Sequence, residues 1–119
     1  MRNDKENIIV NRSFQFALKI VAFCEELENK NKFIIARQLL KSGTSIGANV
    51  REAQNAESKN DFIHKFKIAA KEVDETFYWI ELCNQSANYP TNVELIEDLN
   101  SISAIINKII SSSKKPFSN

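Results

Sequence analysis

Residues 58–86 read SKNDFIHKFKIAAKEVDETFYWIELCNQS, and the apolar period of this stretch decides the fold. Phe62, Phe66, Ala69, Val73, Thr76, Ile80 and Cys83 recur at alternating spacings of four and three. A helix of 3.6 residues per turn brings such positions onto one face, whereas a half-buried strand needs alternation at every second residue. Ser58 with Asp61 three residues on resembles a capping box, in which a short side-chain oxygen accepts a bond from an unpaired first-turn N–H. The stretch is predicted as one helix ending near Ser86, before the Asn88-Tyr89-Pro90 turn.

The same phase continues on both sides. Upstream, Ile35, Leu39, Ser42, Ile46, Asn49, Ala53 and Ala56 keep the four-three spacing and predict a helix over Phe33–Glu57, with Ser and Asn at two inward positions. Gly43 and Gly47 each cost about 1 kcal/mol against Ala in a helix interior. The unchanged phase on either side of them favours one continuous helix, the alternative being a break at Gly43. Before it, Phe16, Ile20, Phe23 and Leu27 form one stripe, and Phe14, Ala17, Val21 and Cys24 a second beside it. They predict a helix over Asn11–Lys30, capped by Asn11 or Ser13, with a wider apolar face than a simple surface helix needs. Downstream, Leu95, Leu99, Ile102, Ile106 and Ile109 predict a fourth helix to about Ser111, started by a Thr91/Glu94 capping box. Residues 1–10 and 112–119 read as polar tails around a bundle over 11–111.

Four helices on short connections pack antiparallel to their neighbours, and a shared seven-residue repeat supercoils them left-handedly. The expected fold is all-α: an antiparallel, up-and-down, left-handed four-helix bundle. The length of 119 residues suits one domain, and two Gly with two Pro are too few for the turns of an all-β chain. Ile8-Ile9-Val10 is too short for the core of a signal peptide, and no apolar run approaches the ~20 residues of a membrane span. Two cysteines without metal spacing suit a reducing compartment. The expectation is a cytoplasmic protein with no membrane partner.

Catalytic chemistry finds little to work with. Asp61-x-x-His64 has the spacing of one ligand pair in bundle di-iron sites, but those need two such pairs and further Glu residues, and His64 is the one histidine. Any Ser-His-Asp or Cys-His arrangement would also have to use it, and neither Cys24 nor Cys83 is near it in sequence. Glycine-rich phosphate loops are absent. No enzyme activity, cofactor or metal is expected, and the cysteines are read as small core residues.

The stretch Gln38-Leu39-Leu40-Lys41-Ser42-Gly43-Thr44-Ser45-Ile46-Gly47-Ala48-Asn49-Val50-Arg51-Glu52-Ala53, with Ser58 to Ala69 and then Glu72, Glu75, Thr76, Tyr78 and Trp79, resembles a known family. It is the family of four-helix-bundle proteins encoded by intervening sequences in bacterial 23S ribosomal RNA genes. The resemblance runs from about Asn11 to Ser112 and is most specific in S-x-x-S-I-x-x-N followed by Glu52-Ala53. It implies a ring-shaped homopentamer without catalytic residues. The family is similar to the accessory variability protein of diversity-generating retroelements, a basic bundle that works with a reverse transcriptase and nucleic acid. The formal net charge of +1 here departs from that basic relative.

Two candidate sites follow. The first is a polar seam of Ser42, Ser45, Asn49 and Glu52 on the second helix, with Glu72, Glu75, Thr76 and Trp79 on the third supplying hydrogen-bond partners. It is either a network that sets helix register or a ligand-facing surface. The second is electrostatic. Up-and-down packing gathers twelve bases and five acids at the end where helices 1 and 3 begin, and four bases and ten acids at the other. Arg12, Lys19, Arg51, Lys59, Lys65, Lys67, Lys71 and Lys108 are the candidate polyanion-binding residues, with RNA or DNA as partner. The bland reading of the same asymmetry is solubility and head-to-tail steering. Among Phe62, Phe66, Phe77, Tyr78 and Trp79, more faces are aromatic than a monomer can bury, so some are expected at an interface with another copy or a protein partner.

Overall fold

A computed structural model describes residues 4–114, with side chains from residue 8 onward. It contains α1 (Asp4–Asn29), α2 (Phe33–Ala53), α3 (Lys59–Gln85) and α4 (Val93–Ser113). Each helix packs on the next and α4 closes back on α1, with no close backbone approach across either diagonal among the described residues. The result is an up-and-down four-helix rod of 55 × 21 × 20 Å.

The first helix begins seven residues earlier than its predicted start at Asn11. The reason is a hidden continuation of its stripe: Ile9 and Ser13 extend Phe16, Ile20, Phe23 and Leu27 backwards in the same phase, and both are fully buried. Ser13 keeps its hydroxyl satisfied by donating to the Val10 carbonyl at 3.2 Å, so a polar residue occupies a core position in mid-helix instead of capping one. Asn11 is likewise within the helix and exposed. Residues 4–10 therefore belong to α1 and not to a tail; α4 runs to Ser113, and 115–119 lie outside the described residues.

Connections are set by local chemistry. Asn31 adopts φ 62°, the left-handed conformation that Asn tolerates best after Gly. The Asn31 and Lys32 N–H groups donate back to the carbonyls of Glu28 (2.9 Å) and Leu27 (2.8 Å), the Schellman closure of α1. Helix α2 stops at Ala53, four residues short of its predicted end at Glu57, and Ala56 lies outside it, half-buried. At the start of α3, Ser58 accepts from the Asp61 N–H at 3.0 Å, while Asp61 Oδ2 accepts from the N–H of Glu57. The α4 cap falls one residue later than predicted: Asn92, not Thr91, accepts from the Leu95 N–H at 3.0 Å. The Asn92 N–H donates to Asn84 Oδ1 at 2.9 Å, which ties the end of α3 to the start of α4 and selects Asn over Thr.

All five predicted inward positions of α4 are buried, as are Phe66, Ala69, Val73, Thr76, Ile80 and Cys83 of α3. Each large apolar side chain so removed from water contributes roughly 1.5–3 kcal/mol. Helix α2 buries Leu39, Ser42, Ile46 and Ala53 as predicted, but it is turned slightly from the predicted phase at the other positions. Ala36, Gly43 and Val50 are buried where Ile35 and Asn49 were expected, and those two are only half-buried. The glycines explain the rotation. A Cβ on Gly43 would lie 2.9 Å from Ile20 Cγ1 and Cγ2, and one on Gly47 would lie 3.3 Å from the Ser13 carbonyl oxygen. Their bare edge lets α2 turn into α1 and close on it.

Candidate functional site

The polar seam exists along the α2–α3 contact, but its hydrogen bonds run differently from the expected cross-helix network. Ser42 and Thr76 alone pair hydroxyl to hydroxyl across the two helices, at 2.9 Å and fully buried. Ser45 Oγ donates to the Lys41 carbonyl (2.6 Å) and Asn49 Nδ2 to the Ser45 carbonyl (2.8 Å), both on their own helix. The Trp79 indole N–H donates to Glu75 Oε2 at 3.2 Å, also within one helix. At the exposed end of the seam, Lys65 reaches Glu52 at 2.9 Å, and that hydrogen bond raises the Lys65 pKa. Glu72 is half-buried; burial, then the neighbouring Glu75 charge, push its carboxyl above the usual carboxylate range against an opposing pull from Lys41. The interior of the seam is thus one hydroxyl pair with its backbone carbonyls.

The eight candidate polyanion-binding residues do not form one open patch. Lys19 lies past the middle of α1, and its ammonium is 2.8 Å from Asp98 and 3.7 Å from Glu94, in the first turn of α4. It belongs with the acids at the other end of the rod, and the Asp98 hydrogen bond raises its pKa first of all. Arg12 hydrogen-bonds the Ser101 hydroxyl across the α1–α4 seam, Lys65 is paired with Glu52, and the Arg51 guanidinium lies 5.6 Å from the Phe14 ring centroid. Lys59 lies in the first turn of α3, and Lys71 sits at its middle. Lys67, Lys71 and Lys108 are exposed, without an ion pair among the described residues.

The cysteines and the histidine are far from catalytic geometry. Cys24 and Cys83 are buried, free thiols. Burial, with smaller contributions from Glu28 and Cys83, pushes the Cys24 thiol up to about 12, and burial alone pushes Cys83 up to about 11. His64 is exposed on α3.

Two apolar surfaces are left in water outside the core. Phe14, Leu18 and Val21 on α1 and Leu40 on α2 are exposed, and a shallow groove between the helices is lined by Phe14, Ala17, Thr44, Ala48 and Arg51. On the outside of α3, Tyr78 is 58% exposed and stands edge-on to Trp79, ring centroids 5.1 Å apart. Leu82 is exposed one turn on, and Ile34 of α2 is 81% exposed. The second stripe on α1 was the signal for the first surface: Cys24 turns inward, while Phe14 and Val21 stay outside.

A filled core of four helices and one buried hydroxyl pair between α2 and α3 define the class as an all-α four-helix bundle. The chain belongs to the 23S rRNA-intervening sequence protein family, whose pattern it matches over residues 5–109. It is similar in structure to a protein of unknown function from the S23 ribosomal protein family of Bacteroides thetaiotaomicron, at 41% identity and a TM-score of 0.83, over 90% of this chain and 98% of that one. No curated protein matches it. No helix among the described residues is long and apolar enough to cross a membrane.

Proposed function

We propose that this member of the family is a non-catalytic scaffold that assembles from several copies of itself. The observation that carries the reading is the exposed apolar surface on α1 and α2, beside a core already filled by large side chains. A lone bundle gains nothing from Phe14, Leu18, Val21 and Leu40 in water, whereas contiguous exposed apolar surface marks contact sites. The absence of catalysis is supported by the chemistry of the groups present: two thiols held protonated in the core and one histidine in solvent apart from them. The resemblance sets the expected subunit number at five. Light scattering on the full chain at micromolar concentration tests this, with an expected mass five times the 13.6 kDa chain; a monomer would refute it.

Polyanion binding ranks second. Exposed Lys67, Lys71 and Lys108 support it, but Arg12, Lys19 and Lys65 are already engaged within the chain. A steep loss of RNA retention with rising salt would bring it forward, and no retention at low salt would end it.

A further inference from the structure

We propose that the cleft between α1 and α4 binds a small organic monocarboxylate, with the Arg12 guanidinium as its anchor. The cleft has a structural cause. Gly43 and Gly47 let α2 close on α1, but where α1 meets α4 the facing positions include the large Phe16 and Ile102, and the two backbones come close at fewer points. Both side chains are almost fully buried and form a floor, and the space above it holds about 190 Å³. Arg12 and Ser101 bound one end of that space, and Lys19 and Asp98 the other.

The two ends differ in what they leave unsatisfied. Lys19 stands 2.8 Å from Asp98 and 3.7 Å from Glu94, so its charge is taken up within the chain. Arg12 donates to the neutral Ser101 hydroxyl and has no carboxylate partner among the described residues. That bond uses one of five guanidinium N–H donors and none of the charge. Neither helix supplies an acid around it: α1 carries none from Ile8 to Cys24, and α4 none after Asp98, which Lys19 holds. The planar fork of a guanidinium matches a carboxylate through two parallel N–H···O bonds. One uncompensated positive charge selects a monoanion, and the Phe16–Ile102 floor selects one with an apolar body beside its charge. The ligand's carboxylate takes the fork of Arg12. Ser101, which accepts from Arg12, keeps its own proton to donate to the same carboxylate. The apolar part of the ligand lies along the floor and covers it from water.

Benzoate is the probe, titrated into the deuterated, isotope-labelled full chain and followed through amide chemical shifts. Benzamide, its uncharged isostere, acetate, which lacks the ring, and inorganic phosphate are the comparisons. The expected result is saturable, millimolar binding of benzoate, with shifts gathered over residues 15–19 and 98–102, and at least about tenfold weaker binding of the other three. Arg12→Gln is expected to weaken benzoate at least about tenfold. Arg37→Gln, which removes an exposed base from α2, is expected to leave the affinity unchanged. Ser101→Leu fills the cleft, leaves every charge in place and is expected to abolish binding; it decides the matter if circular dichroism shows Arg12→Gln unfolded. No saturable shift with benzoate, equal binding of benzamide, acetate or phosphate, or a folded Arg12→Gln or Ser101→Leu chain that binds like wild type would overturn the site.

Discussion

The hydroxyls of Ser42 and Thr76 meet 2.9 Å apart in the interior, each at zero or near-zero exposure, on helices whose other cross-contacts in the core are apolar. Thr76 Oγ1 is also 2.7 Å from the Glu72 carbonyl, whereas Ser42 has only the Leu39 carbonyl at 3.4 Å. The pair is therefore asymmetric. Thr76→Val strands the Ser42 hydroxyl and should cost about 1–2 kcal/mol in urea unfolding, while Ser42→Ala should cost less because Thr76 keeps its carbonyl. The double variant Ser42→Ala/Thr76→Val should fall short of the sum, since the stranded group is gone.

Close approach of α2 to α1 depends on Gly43. Its Cβ would meet the two γ-carbons of Ile20, a β-branched, fully buried side chain with little room to shift. Gly43→Ala should lower stability by about 1–3 kcal/mol from overpacking, beyond the roughly 1 kcal/mol that helix propensity returns. Gly47→Ala, whose added carbon would sit 3.3 Å from the Ser13 carbonyl oxygen at a half-buried position, should change the thermal midpoint less. Equal effects at the two glycines would contradict the packing described.

The two candidate caps of α4 separate cleanly by mutation. Asn92→Ala removes the side-chain acceptor for the Leu95 N–H and should cost about 1–2 kcal/mol. Thr91→Ala, at an exposed position before the cap, should stay within about 0.5 kcal/mol of wild type.

Glu72 gives a pH-dependent variant. Its native pKa is raised by burial and by Glu75, so the native state holds its proton more tightly than the unfolded chain. That contribution favours the fold below the ordinary carboxylate range and is lost as pH rises through the raised value. Glu72→Gln should therefore stabilise the protein at neutral pH and lose the advantage at about pH 3, where the carboxyl is protonated in both states. Denaturant midpoints at the two pH values would show it.

The thiols behave alike at the alkaline end. Their native pKa values of about 12 and about 11 stand above the ordinary 9.0, so the thiols' contribution to stability should be flat below about pH 9 and decline as the pH climbs toward those values. At neutral pH, alkylation of Cys24 and Cys83 by iodoacetamide should proceed at the rate of unfolding, and fast labelling of the native protein would refute their burial.

Helix content, helix number and the inward faces of α3 and α4 were legible before any coordinates, because an apolar period is a property of each segment alone. Phe66, Val73, Ile80, Leu99 and Ile106 needed no neighbour to reveal their side. The early start of α1 was also written in the chain at Ile9, but Ser13 concealed it, since a polar residue at an inward position breaks the pattern the eye follows. The rotation of α2 was not legible. Ile35 and Ala36, or Asn49 and Val50, are adjacent choices for one heptad slot, and the contact of bare Gly43 with Ile20 makes the choice. The seam and the basic end followed the same rule: residue types announced that Ser42, Thr76 and Lys19 would seek partners, and packing named Thr76 for Ser42 and Asp98 for Lys19. Periodicity fixes which way a side chain faces on its own helix; which surface it then meets depends on how closely two helices approach, and that distance is set between chains of atoms remote in sequence.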